Sequence, residues 1–129
     1  MSPLHLDLPH APVSVGFARD QVRSFLLGLW PDPALDDLVD DLRLVVSELV
    51  TNAVRHGEPP VTLDVDAVDA DGLRRVVVVC RDGGPWDGTA PAPTGGRGLQ
   101  LVRSLASDVR IEGGATSTVV VAALERAAV

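Results

Sequence analysis

The sequence predicts an α+β fold: a two-layer α/β sandwich with helices on one face of a mixed, mostly antiparallel sheet. Three observations carry that reading. The periodic segments run strand, two helices, hairpin, helix, two strands, with no regular βαβ alternation. A turn signal joins the middle two strands as a hairpin, which makes them antiparallel. The 129 residues are enough for one domain with one core, and neither a linker nor an internal repeat interrupts them.

The elements follow in order. Leu4 to Leu8 (LHLDL) alternates and suits a short edge strand. From Val13 to Leu29 the apolar residues Val15, Ala18, Val22, Phe25, Leu26 and Leu29 keep helical spacing, with Ser14 as the expected cap. Trp30 to Pro33 (WPDP) ends that helix, because proline cannot continue the hydrogen-bond ladder. A second helix is expected from about Ala34 to His56. Its stripe is Leu35, Leu38, Val39, Leu42, Val45, Val46, Leu49 and Ala53, and Gly57 is its C-terminal cap. Val61 to Ala67 alternates as a half-wet strand, Asp69 to Gly72 (DADG) is a turn, and Leu73 to Arg81 follows. The run Val76 to Val79 reads as a central strand buried on both faces. Arg81 to Gly98 is rich in glycine and proline, a long loop of the kind that serves as a lid. Leu99 to Ala106 returns to helical spacing, and Asp108 to Glu112 and Thr118 to Leu124 are the last strands.

Composition excludes several classes. A formal net charge of −7, from 18 acidic and 11 basic residues, argues against nucleic-acid binding. No apolar run is long enough for a membrane span, and Met1 to Asp7 has no basic start followed by an apolar stretch. The lone Cys80 follows four valines and reads as core filling. These features fit a reducing cytoplasm. The chain contains no lysine. That excludes the phosphate loop ending in GK[ST] and the eukaryotic-type kinase, both of which hold phosphate with lysine. A bound nucleotide would need a metal, arginines and backbone N–H groups.

Three short constellations carry chemistry. Glu48, Asn52 and His56 recur every fourth residue and so share one helix face. A carboxylate beside an amide oxygen suits Mg²⁺, and a carboxylate near phosphate can accept a hydroxyl proton. The same spacing also fits a solvated helix edge with a histidine complementing the dipole. Asp82-Gly83-Gly84 follows the valine strand: a plain turn, or a carboxylate that takes a ligand hydrogen bond beside glycines that admit a flat face. Gly95-Gly96-Arg97-Gly98 opens a helix, as an ordinary loop or as an anion site.

Taken together, their order and spacing are specific. From about Val13 to Leu124 the chain resembles the GHKL nucleotide-binding superfamily, which includes histidine kinases, gyrase-type ATPases and the Hsp90 chaperone. Within it, SELVTNAVRHG and GGRGLQLVRSLASDV look most like the bacterial anti-sigma-factor serine/threonine kinases. The resemblance implies the Bergerat-type ATP-binding fold. It implies that Asn52 ligates the Mg²⁺ bridging the phosphates and that Glu48 is the general base. It implies that Arg55 stands near phosphate, Asp82 accepts the adenine amino hydrogen bond, and Gly84 leaves room for the base. Gly96, Gly98 and Leu99 match the second glycine box, whose backbone faces the phosphates, and Arg97 between them matches a γ-phosphate contact. Thr118 matches the threonine beside adenine, with Thr116 as the alternative alignment. His56 is helix-end structure. The chain departs from the pattern where Trp86 replaces the second glycine of the first glycine box, and the lid, Pro85 to Gly95, is short; either departure would weaken affinity or slow turnover. Trp86 either covers the adenine edge or packs the loop onto the core.

The implied function is an ATP- and Mg²⁺-dependent serine/threonine kinase. Its substrate would be a small antagonist protein that competes with a sigma factor for this chain. The alternative is a non-catalytic ATP-binding module acting by sequestration alone. A homodimer is a further implication, with the edge strand near Leu4 available for it.

Overall fold

The computed structural model describes residues 3–85 and 96–127, with backbone alone for 96–97. Five strands and three α-helices lie within them: β1 (Leu4–Leu8), α1 (Val13–Leu29), α2 (Asp36–His56), β2 (Val61–Ala70), β3 (Leu73–Asp82), α3 (Gly96–Leu105), β4 (Asp108–Gly113) and β5 (Thr118–Ala127). The sheet order is β1-β2-β3-β5-β4, and every pairing is antiparallel rather than mixed.

Local chemistry accounts for the element ends, with corrections to the sequence reading. Ser14 does not cap α1; Pro12 is the cap residue, and the Ser14 hydroxyl donates instead to the Pro9 carbonyl at 2.5 Å. The Ser14 and Val15 N–H groups, which a cap side chain would serve, donate instead to the Ala11 and Pro12 carbonyls at 3.0 and 3.2 Å. The segment entering α2 is a 3₁₀ turn over Pro33–Leu35, held by the Asp32 carboxylate accepting from the Ala34 N–H at 3.0 Å, and the α-helix starts at Asp36. Asp36 and Asp37 in the first turn of α2, and Arg55 and His56 in the last, complement the helix dipole. The β2–β3 hairpin turns through Asp71 (φ 55°) and Gly72 (φ 74°), the two left-handed residues of a primed turn.

The core lies between the helices and one face of the sheet. Leu38, Leu42, Val45, Val46, Leu49 and Val50 of α2 meet Leu63, Val65, Val76, Val78, Ala122 and Leu124. Each fully buried side chain of this kind contributes about 1.5–3 kcal/mol relative to exposure. β3 is central, as expected, but is not buried on both faces: Val76, Val78 and Cys80 are buried while Val77 and Val79 remain partly exposed. Only one face of the sheet receives helices, so the alternation of period two survives within a continuous valine run. Two arginines brace the helix-bearing face. Arg126 pairs with Asp41 of α2, and Arg74 stacks 5.4 Å over Trp30.

Candidate functional site

The sheet delivers two groups to one place. Asp82 ends β3 and Thr118 begins β5, and the two are direct cross-strand partners. Both have the parity of Val120, Val78 and Val76, so they face the helices. Opposite them stands the last part of α2. A narrow open cleft is lined by Leu49, Asn52, Ala53, Gly57, Cys80, Asp82, Thr118 and Val120. Asn52 and Asp82 therefore share a single cavity.

Close contacts fix the Asp82 carboxylate. The Gly84 N–H donates to Oδ1 at 2.7 Å. Gly57 lies against the other side, where a Cβ would fall 2.4 Å from Cγ and 2.6 Å from either oxygen. The Gly83 N–H donates to the Glu58 carbonyl at 2.6 Å, tying this turn to the end of α2. A Cβ on Gly83 would meet the Pro59 carbonyl oxygen at 2.3 Å, so glycine is required here by packing. Burial raises the Asp82 pKa above the ordinary carboxylate value, and the N–H groups of Gly84 and Glu58 and the nearby His10 partly oppose the rise. His10 itself bonds the Gly57 carbonyl through Nε2 at 3.1 Å. Thr118 is buried, and its hydroxyl donates to the Gly84 carbonyl at 2.9 Å, which links the two strand ends through side chain and backbone. Thr116, the alternative threonine, is exposed in the β4–β5 turn.

The polar ridge of α2 meets the start of α3. A Cβ on Gly98 would lie 2.6 Å from Glu48 Oε2 and 3.4 Å from Asn52 Nδ2. Glu48 and Asn52 are half-buried. Asn52 Nδ2 is enclosed and has no hydrogen-bond partner among the described residues. Leaving such a group unpaired costs about 1–3 kcal/mol, and an amide N–H placed here suits an acceptor such as a phosphate oxygen. Gly98 brings the first turn of α3 against this ridge, and its neighbour Leu99 is buried. The first N–H groups of a helix lack intrahelical acceptors and suit an anion. A carboxylate, an amide oxygen and the N-terminal turn of α3 thus form a set whose chemistry fits Mg²⁺ and phosphate.

Arg55 is exposed at the end of α2 and does not line the cleft; His56 is exposed as well. The Arg97 side chain, Trp86 and nearly all of the lid lie outside the described residues. Sequence reading missed the contact of Gly57 with Asp82, and the cleft floor made by Leu49, Ala53, Cys80 and Val120. It treated Gly57 only as a helix cap. The cap bond exists, from the Gly57 N–H to the Ala53 carbonyl, but at φ −95° the residue is not left-handed. The need for glycine there comes from Asp82.

Comparisons with known proteins bear on the family and the fold. The family model described as "Histidine kinase-like ATPase domain" matches residues 8–124. The chain is 34% identical over 78 residues to the anti-sigma F factor of Geobacillus kaustophilus, covering 58% of this chain and 51% of that protein. It is 43% identical over 54 residues to the anti-sigma F factor of Bacillus subtilis, covering 42% of this chain and 35% of that protein. The chain thus spans about half of the length of the first of these relatives and about a third of the second. A crystal structure of the RsbU and RsbW domains of a Mycobacterium tuberculosis protein superposes with TM-score 0.71 at 27% identity, covering 99% of this chain and 33% of that one. A histidine kinase domain from Erythrobacter litoralis shares the fold at TM-score 0.50 and 20% identity, covering 85% of this chain and 60% of that one.

Proposed function

The chain belongs to the histidine kinase-like ATPase family, and from that premise we propose that it is an anti-sigma-type serine/threonine kinase of the cytoplasm. Its substrates are ATP and a serine or threonine hydroxyl on a small antagonist protein, and the unmodified antagonist competes with a sigma factor for the chain. The observation that supports this reading best is the convergence of Asn52, Asp82 and Thr118 on one cleft, with Gly98 packed on Glu48 at its rim.

Each residue then has a role. Asp82 accepts the adenine amino hydrogen bond; Gly57 and Gly84 hold its carboxylate from two sides, and Gly84 leaves room for the base. Thr118 supports that wall from β5. Asn52 holds the metal through its amide oxygen. Mg²⁺ bound there would supply the charge neutralisation that a lysine-free chain needs at the triphosphate. Gly96, Gly98 and Leu99 offer backbone N–H groups to phosphate, and Arg97 and Arg55 are the arginines proposed to reach it. Glu48 accepts the proton as the substrate hydroxyl oxygen attacks the γ-phosphorus and ADP leaves. The product phosphate adds charge to the antagonist and weakens its contact with the chain.

Calorimetric titration with ATP·Mg²⁺, followed by phosphate labelling of co-purified proteins, tests the proposal. Asn52→Ala abolishes nucleotide binding. Glu48→Gln keeps binding and stops transfer. An unchanged transfer rate in Glu48→Gln removes that residue as base. Tight ATP binding by a wild type that labels no antagonist leaves sequestration as the whole function, and absence of ATP affinity removes both readings. The replacement of glycine by Trp86 in the first glycine box makes the labelling step the decisive one.

A further inference from the structure

Outside the cleft, one side chain holds the wall that carries Asp82. His10 lies in the short connection between β1 and α1, and it is exposed. Its Nε2 reaches across 47 positions of sequence to the Gly57 carbonyl at 3.1 Å. A carbonyl can only accept, so Nε2 carries the proton of this bond. The connection is braced on its own account. The Ala11 N–H and the Ser14 hydroxyl both donate to the Pro9 carbonyl, at 2.8 and 2.5 Å, and the Ser14 N–H donates to the Ala11 carbonyl at 3.0 Å. The imidazole is thus presented from a fixed loop.

The acceptor matters because of what shares its peptide unit. The Gly57 carbonyl and the Glu58 N–H belong to one planar amide. His10 holds the carbonyl end, and the N–H end donates to the Asp82 carboxylate. A hydrogen bond at a peptide oxygen polarises the amide and strengthens its N–H as a donor. Gly57 itself closes the other side of that carboxylate, since a Cβ there would fall 2.4 Å from Asp82 Cγ. Whatever fixes this peptide fixes two of the surfaces that Asp82 rests against.

We propose that His10 is a positioning residue for base recognition, on the reading that Asp82 accepts the adenine amino hydrogen bond: through the Gly57–Glu58 peptide it sets the orientation in which that carboxylate meets the base. Charge acts in the same direction. Among the described residues, the titratable groups acting on Asp82 are His10, Glu58 and Cys80. His10 favours the ionised carboxylate, Glu58 opposes it, and burial keeps the Cys80 thiol neutral. Where carboxylates titrate, an imidazole is cationic. His10 also caps α2, whose last carbonyls lack intrahelical partners. A cap alone would cost stability when removed and would leave the Asp82 titration where it was.

A pH series followed by carbon NMR of the Asp82 carboxyl tests this on the whole chain without nucleotide. In His10→Ala the titration midpoint rises by about half a pH unit or more. Calorimetry with ATP·Mg²⁺ then gives binding about five- to tenfold weaker than wild type. His10→Gln, whose amide donates to the same carbonyl but carries no charge, recovers most of the affinity and keeps part of the midpoint rise. It decides the matter even where His10→Ala fails to fold, which circular dichroism checks. An unmoved midpoint, or full ATP affinity in a variant that merely melts lower, leaves His10 as a helix cap and overturns the proposal. A wild type without ATP affinity removes the adenine reading of Asp82, and the base-recognition role with it. A wild type that binds ATP, beside variants with the wild-type midpoint, removes His10 alone.

Discussion

Gly57 and Asp82 are in contact across the mouth of the cleft: the end of α2 leaves no space for a Cβ beside the carboxylate that closes β3. Gly57→Ala must push that carboxylate aside or shift the helix end. Forcing an extra carbon into packed space costs about 1–3 kcal/mol. The expected result is a lower melting temperature together with a loss of preference for ATP over GTP, read by calorimetry. A variant that melts earlier but keeps full preference for ATP would remove Asp82 from base recognition.

Gly98 makes the corresponding contact at the other end of the site. In Gly98→Ala the new Cβ would press on Glu48 Oε2, which belongs to a side chain able to swing. Stability should therefore change little. Displacing the Glu48 carboxylate slows phosphoryl transfer by about tenfold or more, equivalent to ~1.4 kcal/mol in the barrier, while ATP·Mg²⁺ binding is kept. Thermal melts, titrations and transfer rates check this split.

Asp82 gives the protein a pH signature. Burial raises its pKa, so the folded state holds the proton at a pH where the unfolded chain has released it. Its contribution to stability is most favourable below the ordinary carboxylate pKa and is lost as pH rises through the raised value. Asp82→Asn should thus melt higher than wild type near neutral pH. The gap should narrow as the pH falls. Nucleotide affinity should move the other way, absent in the variant and declining in the wild type as Asp82 protonates.

Cys80 forms part of the cleft floor yet is chemically quiet. Burial pushes its thiol up to about 12, and Sγ donates to the Leu49 carbonyl at 3.7 Å. Because the thiolate is the reactive species, alkylation near pH 8 should run at least roughly a hundredfold slower in the folded protein than in denaturant. Mass spectrometry of timed iodoacetamide reactions checks it.

Much of the architecture is legible in the residues themselves. The ends of β1 and α1 follow from alternation, helical spacing and the Trp30-to-Pro33 stop. The hairpin follows from Asp71-Gly72, because few other residues accept two successive left-handed conformations. What stays hidden depends on partners distant in sequence. The one-sided burial of β3 depends on which sheet face receives the helices, and four valines in a row do not encode that. Ser14 looks like a cap until the Pro9 carbonyl is brought within reach of its hydroxyl. At the site, Glu48 and Asn52 are visible from helical spacing, whereas the role of Gly57 appears only when β3 is folded beside it. Choosing Thr118 over Thr116 likewise needs the strand register.

Because Asp82 and Thr118 occupy one rung of the sheet, the chain leaves the scaffold and returns to it at neighbouring points. Between them the chain passes through α3 and the edge strand β4, and the Thr118 bond to Gly84 ties the two ends together. The stretch from Pro85 to Gly95 can therefore lengthen, shorten or be exchanged in evolution or by grafting, while the β3–β5 register stays in place.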